Sequence, residues 1–106
     1  MTEPAAEYPT HGVIVEEEVR FTLIELSRAC RVGVEQVAVL VDEGVVTPRG
    51  DASRSWHFDG SDLRRVRTAL RLARDLQLNA GATALVLDLL DQIDALKAGL
   101  RRVGGA

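Results

Sequence analysis

Hydrophobic positions recur with a helical spacing in two short runs between residues 22 and 44. Apolar residues every three or four positions are typical of amphipathic helices. Thr22 followed three residues later by Glu25 matches a capping box at the start of the first helix. Gly33 and Gly44 have the positions expected for the start and the end of the second helix. The spacing therefore predicts a helix-turn-helix.

The pattern changes after Gly44. Residues 45–49 and 54–58 resemble two short strands, and the polar residues 50–53 between them form a turn signal. This predicts a small β-hairpin wing on the helix-turn-helix. Trp56 and Phe58 are two residues apart, so we expect them to share a face and to pack on the helices.

Helical spacing returns at Asp59, which is a good N-cap for a third helix that runs to about Leu76. Asn79 is the cap of a last helix, which runs from about Ala80 to Arg102. Apolar residues occupy successive d and a positions of one heptad frame in this helix: Ala82, Val86, Leu89, Ile93, Leu96, Leu100 and Val103. Leu85 and Leu90 widen the stripe, which predicts that its first turns also pack on the head. A heptad seam of this kind predicts a coiled coil.

The elements together predict a mainly α protein, with a winged helix-turn-helix head followed by a long C-terminal helix that carries coiled-coil heptads. The predicted divisions are a mobile tail or edge strand at 1–19, the head at 20–78, the terminal helix at 79–103 and a frayed end at 104–106. An apolar seam on a lone helix favours self-association, and we expect a weak homodimer. The residues expected to form its interface are Val86, Leu89, Ile93, Leu96 and Leu100.

Composition narrows the function classes. The chain has 106 residues, enough for one modest core, and has no apolar run of about 20 residues that could span a membrane. Cys30 is the single cysteine, which excludes an internal disulfide and makes a reducing cytoplasm the simplest compartment. His11 and His57 have no cysteine or acid at ligand spacing beside them. We therefore expect no enzyme activity, no cofactor and no metal.

Charge is unevenly distributed. Residues 1–60 carry five arginines against eleven acidic residues, a net −6, whereas residues 61–106 carry eight basic against five acidic residues, a net +3. The second helix contains Glu35, Asp42 and Glu43 and no Arg or Lys. In DNA-binding helix-turn-helix proteins this helix enters the major groove, where carboxylates would be repelled by phosphates. We expect no direct sequence-specific binding of nucleic acid.

Two other charged patterns leave alternatives open. Four arginines lie on one face of the third helix, and this face is either solvated or a contact for an acidic partner or DNA: Arg64, Arg67, Arg71 and Arg74. Arg49 and Arg54 flank the wing turn and would then contact phosphates. On the last helix, Asp88, Asp91 and Asp94 fall at positions c, f and b, opposite a buried seam. They serve either solubility or the docking of a basic helix, with Asp42 and Glu43 as the alternative on the head.

Several short motifs, in order, resemble the CbpM chaperone-modulator family. They are Phe21–Leu26, Gly44–Pro48, Trp56–Asp59, Arg71–Leu76 and Leu89–Leu96. The resemblance implies a head of the MerR type, and a role as a chaperone modulator that binds the J-domain of a DnaJ/CbpA-like co-chaperone. Such binding would inhibit the stimulation of Hsp70 (DnaK) by the co-chaperone. The alternative is a MerR-like DNA-binding transcriptional regulator.

Overall fold

The computed structural model describes residues 19–104, which form four helices and one two-stranded sheet. The elements in chain order are β1 (Phe21–Thr22), α1 (Leu23–Cys30), α2 (Val34–Asp42), a 3-10 turn (Ser53–Ser55), β2 (His57–Phe58), α3 (Gly60–Leu76) and α4 (Ala80–Gly104). The mainly helical fold, with a helix-turn-helix head and a long terminal helix, is confirmed. The expected tail or edge strand at 1–19 falls almost wholly outside the described residues.

Side-chain caps determine where the helices begin. The Thr22 hydroxyl accepts a hydrogen bond from the backbone N–H of Glu25 at 3.1 Å, and the Glu25 carboxylate accepts one from the Thr22 N–H at 2.8 Å. The predicted capping box is thereby confirmed. Asn79 caps α4 in the same way, since its side-chain oxygen accepts from the N–H of Ala82 at 2.8 Å.

The helix ends use left-handed residues. Gly44 has a φ of 81° after α2, and the N–H of Val45 bonds to the carbonyl of Leu40 at 2.9 Å. This is the role predicted for Gly44. At the ends of α1 and α3 the left-handed residues are Arg31 and Gln77, with φ values of 61° and 55°. A turn of three residues therefore separates α1 from α2, as the helix-turn-helix spacing predicts.

The wing, residues 45–58, is less regular than two paired strands. Only Arg49 and His57 face each other across it, joined by backbone hydrogen bonds of 3.1 and 3.0 Å. The expected second strand, 54–58, is wrong over 54–55, which belong to the 3-10 turn Ser53–Ser55, and β2 is limited to His57–Phe58. The strand β2 pairs in antiparallel fashion with β1, with Phe21 opposite Phe58. His57 thus has two partners, Thr22 in the sheet and Arg49 in the bridge.

The core lies where the helix-turn-helix, β2 and α3 meet. Its buried hydrophobic members are Leu26, Val37, Leu40, Val45, Val46, Phe58, Val66, Ala69 and Leu87. Phe58 is fully buried, and the ring of Trp56 meets it edge-on with centroids 6.4 Å apart. The expectation that these two aromatic residues pack together on the helices is confirmed.

The terminal helix docks on the head through a stripe other than the heptad seam. Thr83 and Leu87 are buried, and the hydroxyl of Thr83 is satisfied by the carbonyl of Asn79 at 2.8 Å. Leu85, which was expected to widen the packed stripe, is 59% exposed, so that expectation is wrong for Leu85. Because residues in a helix are 100° apart, the Thr83–Leu87 side and the seam point in different directions. Within residues 19–104 no helix is long and apolar enough to cross a membrane.

Candidate partner-binding surfaces

The outer surface of α2 is acidic. Glu35, Asp42 and Glu43 are exposed, and Val39, between them at helical spacing, is 46% exposed. Glu43 also reaches the start of α4, since a Cβ built on Gly81 would lie 3.4 Å from its carboxylate oxygen. A carboxylate near a helix N-terminus is favourable, so Glu43 has a role within the fold. The Glu35 carboxylate likewise folds back beside Gly33, since a Cβ built there would lie 2.5 Å from its Oε2. Asp42 is therefore the clearer docking residue.

The predicted acidic strip of α4 is placed differently from the expectation. Asp91 and Asp94 line a groove against α3, on the side of α4 that faces the head, together with Arg64 and Arg65. Asp91 makes a bidentate ion pair with Arg65, with N–O distances of 3.0 and 3.1 Å. Asp88, Asp91 and Asp94 are all exposed, as predicted, the Asp91 side chain by 55%. Asp91 is therefore partly neutralised, and this diminishes it as a docking charge.

Arg65 is a residue whose role the sequence pattern does not reveal. Its guanidinium binds the carbonyl of Val45 at the start of the wing through Nε, and Asp91 of α4 through its other two nitrogens. One side chain thus connects the wing, α3 and α4. The arginines at positions 64, 67, 71 and 74 form a pattern in the sequence because they share one face of α3, whereas Arg65 projects from another side of the helix. Only the tertiary contact with Val45 could have identified it.

The basic residues of the DNA-binding alternative are partly occupied by contacts within the fold. Arg49 pairs with Asp59 at 3.2 Å and with Asp62 at 3.3 Å. Arg67 donates to the carbonyl of Ala29 at 3.3 Å, and Arg74 pairs with its neighbour Asp75 at 3.4 Å. A guanidinium held by carboxylates is less available to phosphate, so these contacts weaken the predicted phosphate surface.

The carboxylates that hold Arg49 also cap α3. Asp59 accepts from the N–H of Asp62, and Asp62 accepts from the N–H of Asp59, both at 2.9 Å. Burial would raise the pKa of Asp59, but hydrogen bonds from Asp62 and Ser61 and the charge of Arg49 outweigh it and hold that pKa below its usual value. Burial and the charge of Asp59 raise the pKa of Asp62, against the effect of its own backbone hydrogen bond. The two carboxyls therefore differ in acidity.

Groups that could support chemistry are sparse in the described part. Cys30 is half-buried beside Arg67, and burial raises the pKa of its thiol against the opposing effect of that arginine. A raised pKa lowers the thiolate fraction and therefore the reactivity of the sulfur. Among residues 19–104, no three His, Cys, Asp or Glu side chains form a group that could hold a metal ion.

The heptad seam of α4 is exposed along most of its length. Leu89 and Ile93 are 48% and 45% exposed, and Leu96 and Leu100 are 69% and 71% exposed, whereas Val86 is partly buried. The head covers the opposite side of α4. Four of the five predicted self-association residues, all but Val86, thus lie on a surface that residues 19–104 leave exposed.

Comparison with known proteins supplies the family. Residues 21–103 match the family described as MerR HTH family regulatory protein. The chain is similar to the chaperone modulatory protein CbpM of Coxiella burnetii (strain Dugway 5J108-111), with 36% identity over 90 residues, 85% of each chain. It is similar to the proteins of the same name from Citrobacter koseri, 33% identical over 79% of this chain and 83% of that one, and from Escherichia coli O139:H28, 34% identical over 74% and 78%. The chain therefore belongs to the CbpM family, and its head is of the MerR helix-turn-helix type.

Proposed function

We propose that this protein is a chaperone modulator that binds the J-domain of a DnaJ/CbpA-like co-chaperone in the cytoplasm. Binding inhibits the stimulation of Hsp70 (DnaK) by that co-chaperone, because the J-domain surface that engages Hsp70 is occupied. The CbpM relatives, which are named as chaperone modulatory proteins, support the general role. The partner and the inhibition rest on the family resemblance together with the charge of the exposed surfaces.

One observation carries the proposal: the exposed side of α2 bears carboxylates and no basic residue. A helix at this place in a DNA-binding head needs groups that contact bases and phosphates. The same surface suits a basic protein helix, since complementary charge speeds association and excludes wrong partners. J-domains engage Hsp70 through such a basic helix.

Two acidic surfaces are candidates for the contact. The first is the strip of α4 with Asp88, Asp91 and Asp94, and the second is the end of α2 with Asp42 and Glu43. Asp91 and Glu43 each have a contact within the fold, with Arg65 and with the start of α4. Charge reversal at Asp88 and Asp94, or at Asp42, therefore tests docking with less disturbance of the fold.

The experiment measures ATP turnover by Hsp70 with its J-domain co-chaperone from the same organism, in the presence of increasing amounts of this protein. We expect turnover to fall to the unstimulated rate, and we expect isothermal calorimetry to show direct binding to the J-domain. Binding should weaken as salt rises, because the Debye length falls from about 10 Å at 0.1 M to about 3 Å at 1 M. Absence of any J-domain binding would refute the proposed function.

We further propose a weak homodimer formed by the seam of α4. The exposed side chains of Leu89, Ile93, Leu96 and Leu100 support it, since each would remove apolar area from water on pairing. The side of α4 that the head covers is not needed for this contact. Self-association and J-domain binding therefore use different surfaces.

A further inference from the structure

An apolar groove runs between α2, α3 and the first turns of α4. Val39 and Leu40 form one wall, Leu70 and Ala73 a second, and Ala80 closes the end. Many of the side chains that α3 and α4 contribute are alanine or threonine, which are too small to fill the space between the helices. Val39 leaves nearly half of its surface exposed at the lip. The groove is therefore an apolar surface that the described residues do not fill.

The lip of the groove beside Val39 is negatively charged. Glu35 and Glu43 are four residues from Val39, and Asp42 is three residues from it, so all three share its side of α2. No Lys or Arg occurs in α2 to neutralise them. An occupant of the groove must therefore offer apolar side chains together with positive charge.

Two occupants from this protein itself do not fit that description. Residues 1–18 contain five glutamates and neither Arg nor Lys, so the acidic lip would repel them. The seam of a second copy's α4 is apolar, but this helix carries three acidic residues (Asp88, Asp91 and Asp94) against three basic ones (Lys97, Arg101 and Arg102), so it offers the acidic lip no net positive charge. Like charges brought together at an interface oppose binding. A basic amphipathic helix of another protein satisfies both requirements.

We propose that this groove is the docking site for the basic helix of the J-domain, with Val39 as the central apolar contact and Glu35 and Asp42 as the flanking charges. This inference rests on the proposed function and assigns it to the head rather than to α4. An amphipathic helix laid in a groove is a common mode of recognition, and it combines apolar burial with flanking charge pairs. The acidic strip of α4 is the weaker site because Asp91 is paired with Arg65.

The test compares two valines of the same helix by calorimetry with the isolated J-domain. Val39→Asp places a carboxylate at the lip of the groove, and Val34→Asp is the matched control, since Val34 is 39% exposed and lies on another face beside Ile24. We expect Val39→Asp to weaken J-domain binding at least about tenfold, because it replaces a central apolar contact with a carboxylate that lies beside other carboxylates. Val34→Asp should bind like the wild type. Circular dichroism establishes that both variants are folded.

The charges are tested separately. Glu35→Lys combined with Asp42→Lys should reduce affinity and flatten its salt dependence. The same effect from Asp88→Lys with Asp94→Lys, and none from the α2 pair, would place the contact on α4 and overturn the groove. If Val39→Asp bound the J-domain as tightly as the wild type does, the groove would be overturned while the proposed function stayed in place. If wild type bound no J-domain at all, both would fall. Loss of self-association in Val39→Asp, with unchanged J-domain affinity, would assign the groove to a second copy and overturn the proposal.

Discussion

Leu96→Asp tests self-association at the most informative position of the seam. Leu96 is 69% exposed in the single chain, so pairing of two copies can still remove most of its surface from water. Full burial of a leucine side chain is worth about 1.5–3 kcal/mol, which gives about 1–2 kcal/mol for the exposed part. A symmetric dimer loses two such contacts, so the dimer should weaken by about 2–4 kcal/mol, roughly 30- to 700-fold in dissociation constant.

The fold of the single chain should hardly change, because an exposed substitution usually alters stability by about 0.5 kcal/mol or less. Sedimentation equilibrium over a wide concentration range measures both proteins. Leu76→Asp is the control, since Leu76 is 58% exposed but lies at the end of α3, away from the seam. Wild-type protein that stays monomeric at high micromolar concentration would refute the reasoning. An equal effect of Leu76→Asp would show that general hydrophobicity, rather than the seam, drives association.

Three further predictions follow from the contacts in the head. Arg65→Met should lower the free energy of unfolding by about 1–3 kcal/mol in urea titrations, because it leaves the Val45 carbonyl without its charged donor, whereas Arg71→Met, at an exposed position of the same helix, should have a smaller effect. In carbon-detected NMR, Asp62 should take up its proton at higher pH than Asp59, and the reverse order would contradict the capping geometry. Because the pKa of Asp59 is lowered in the folded protein, ionised Asp59 stabilises the fold above the ordinary pKa of 3.8, and this stabilisation is lost as the pH falls through the folded pKa. The pKa of Asp62 is raised, so ionisation of Asp62 destabilises the fold as the pH rises. A gel-shift selection from random duplexes should enrich no motif, and a motif abolished by Arg49→Ala or Arg54→Ala would favour the DNA-binding alternative.

The helix boundaries could be predicted from the sequence because each depends on a few neighbouring residues. Thr22 with Glu25, Gly44 and Asn79 act within one turn of their own backbone, so local pattern is sufficient. The wing could not be predicted in detail. Its strand β2 takes a partner from the other end of the head, Phe21–Thr22, and no local pattern encodes that pairing.

The docking face of α4 shows the same division between local and tertiary information. Heptad spacing correctly placed the apolar residues of the seam on one side of α4, but this spacing does not indicate whether the head or another molecule packs on them. The head instead covers Thr83, a polar residue whose hydroxyl is satisfied within its own helix, and Leu87. The same holds for the candidate site. The acidic character of α2 could be predicted from the sequence, whereas the groove beside Val39 could not, because it depends on small residues of α3 and α4.

The ion pair of Arg65 with Asp91, together with the buried Thr83 and Leu87, fixes the direction in which α4 leaves the head, with Asp91 as the pivot. From this pivot at Asp91 to Gly104 the axis extends for about 20 Å. A tilt of about 5° at the pivot would move the far end by about 2 Å. If two copies join along α4, this direction sets how far apart, and at what angle, their two heads stand. The contact of Arg65 with Asp91 would then influence whether one such dimer can hold two J-domains at once.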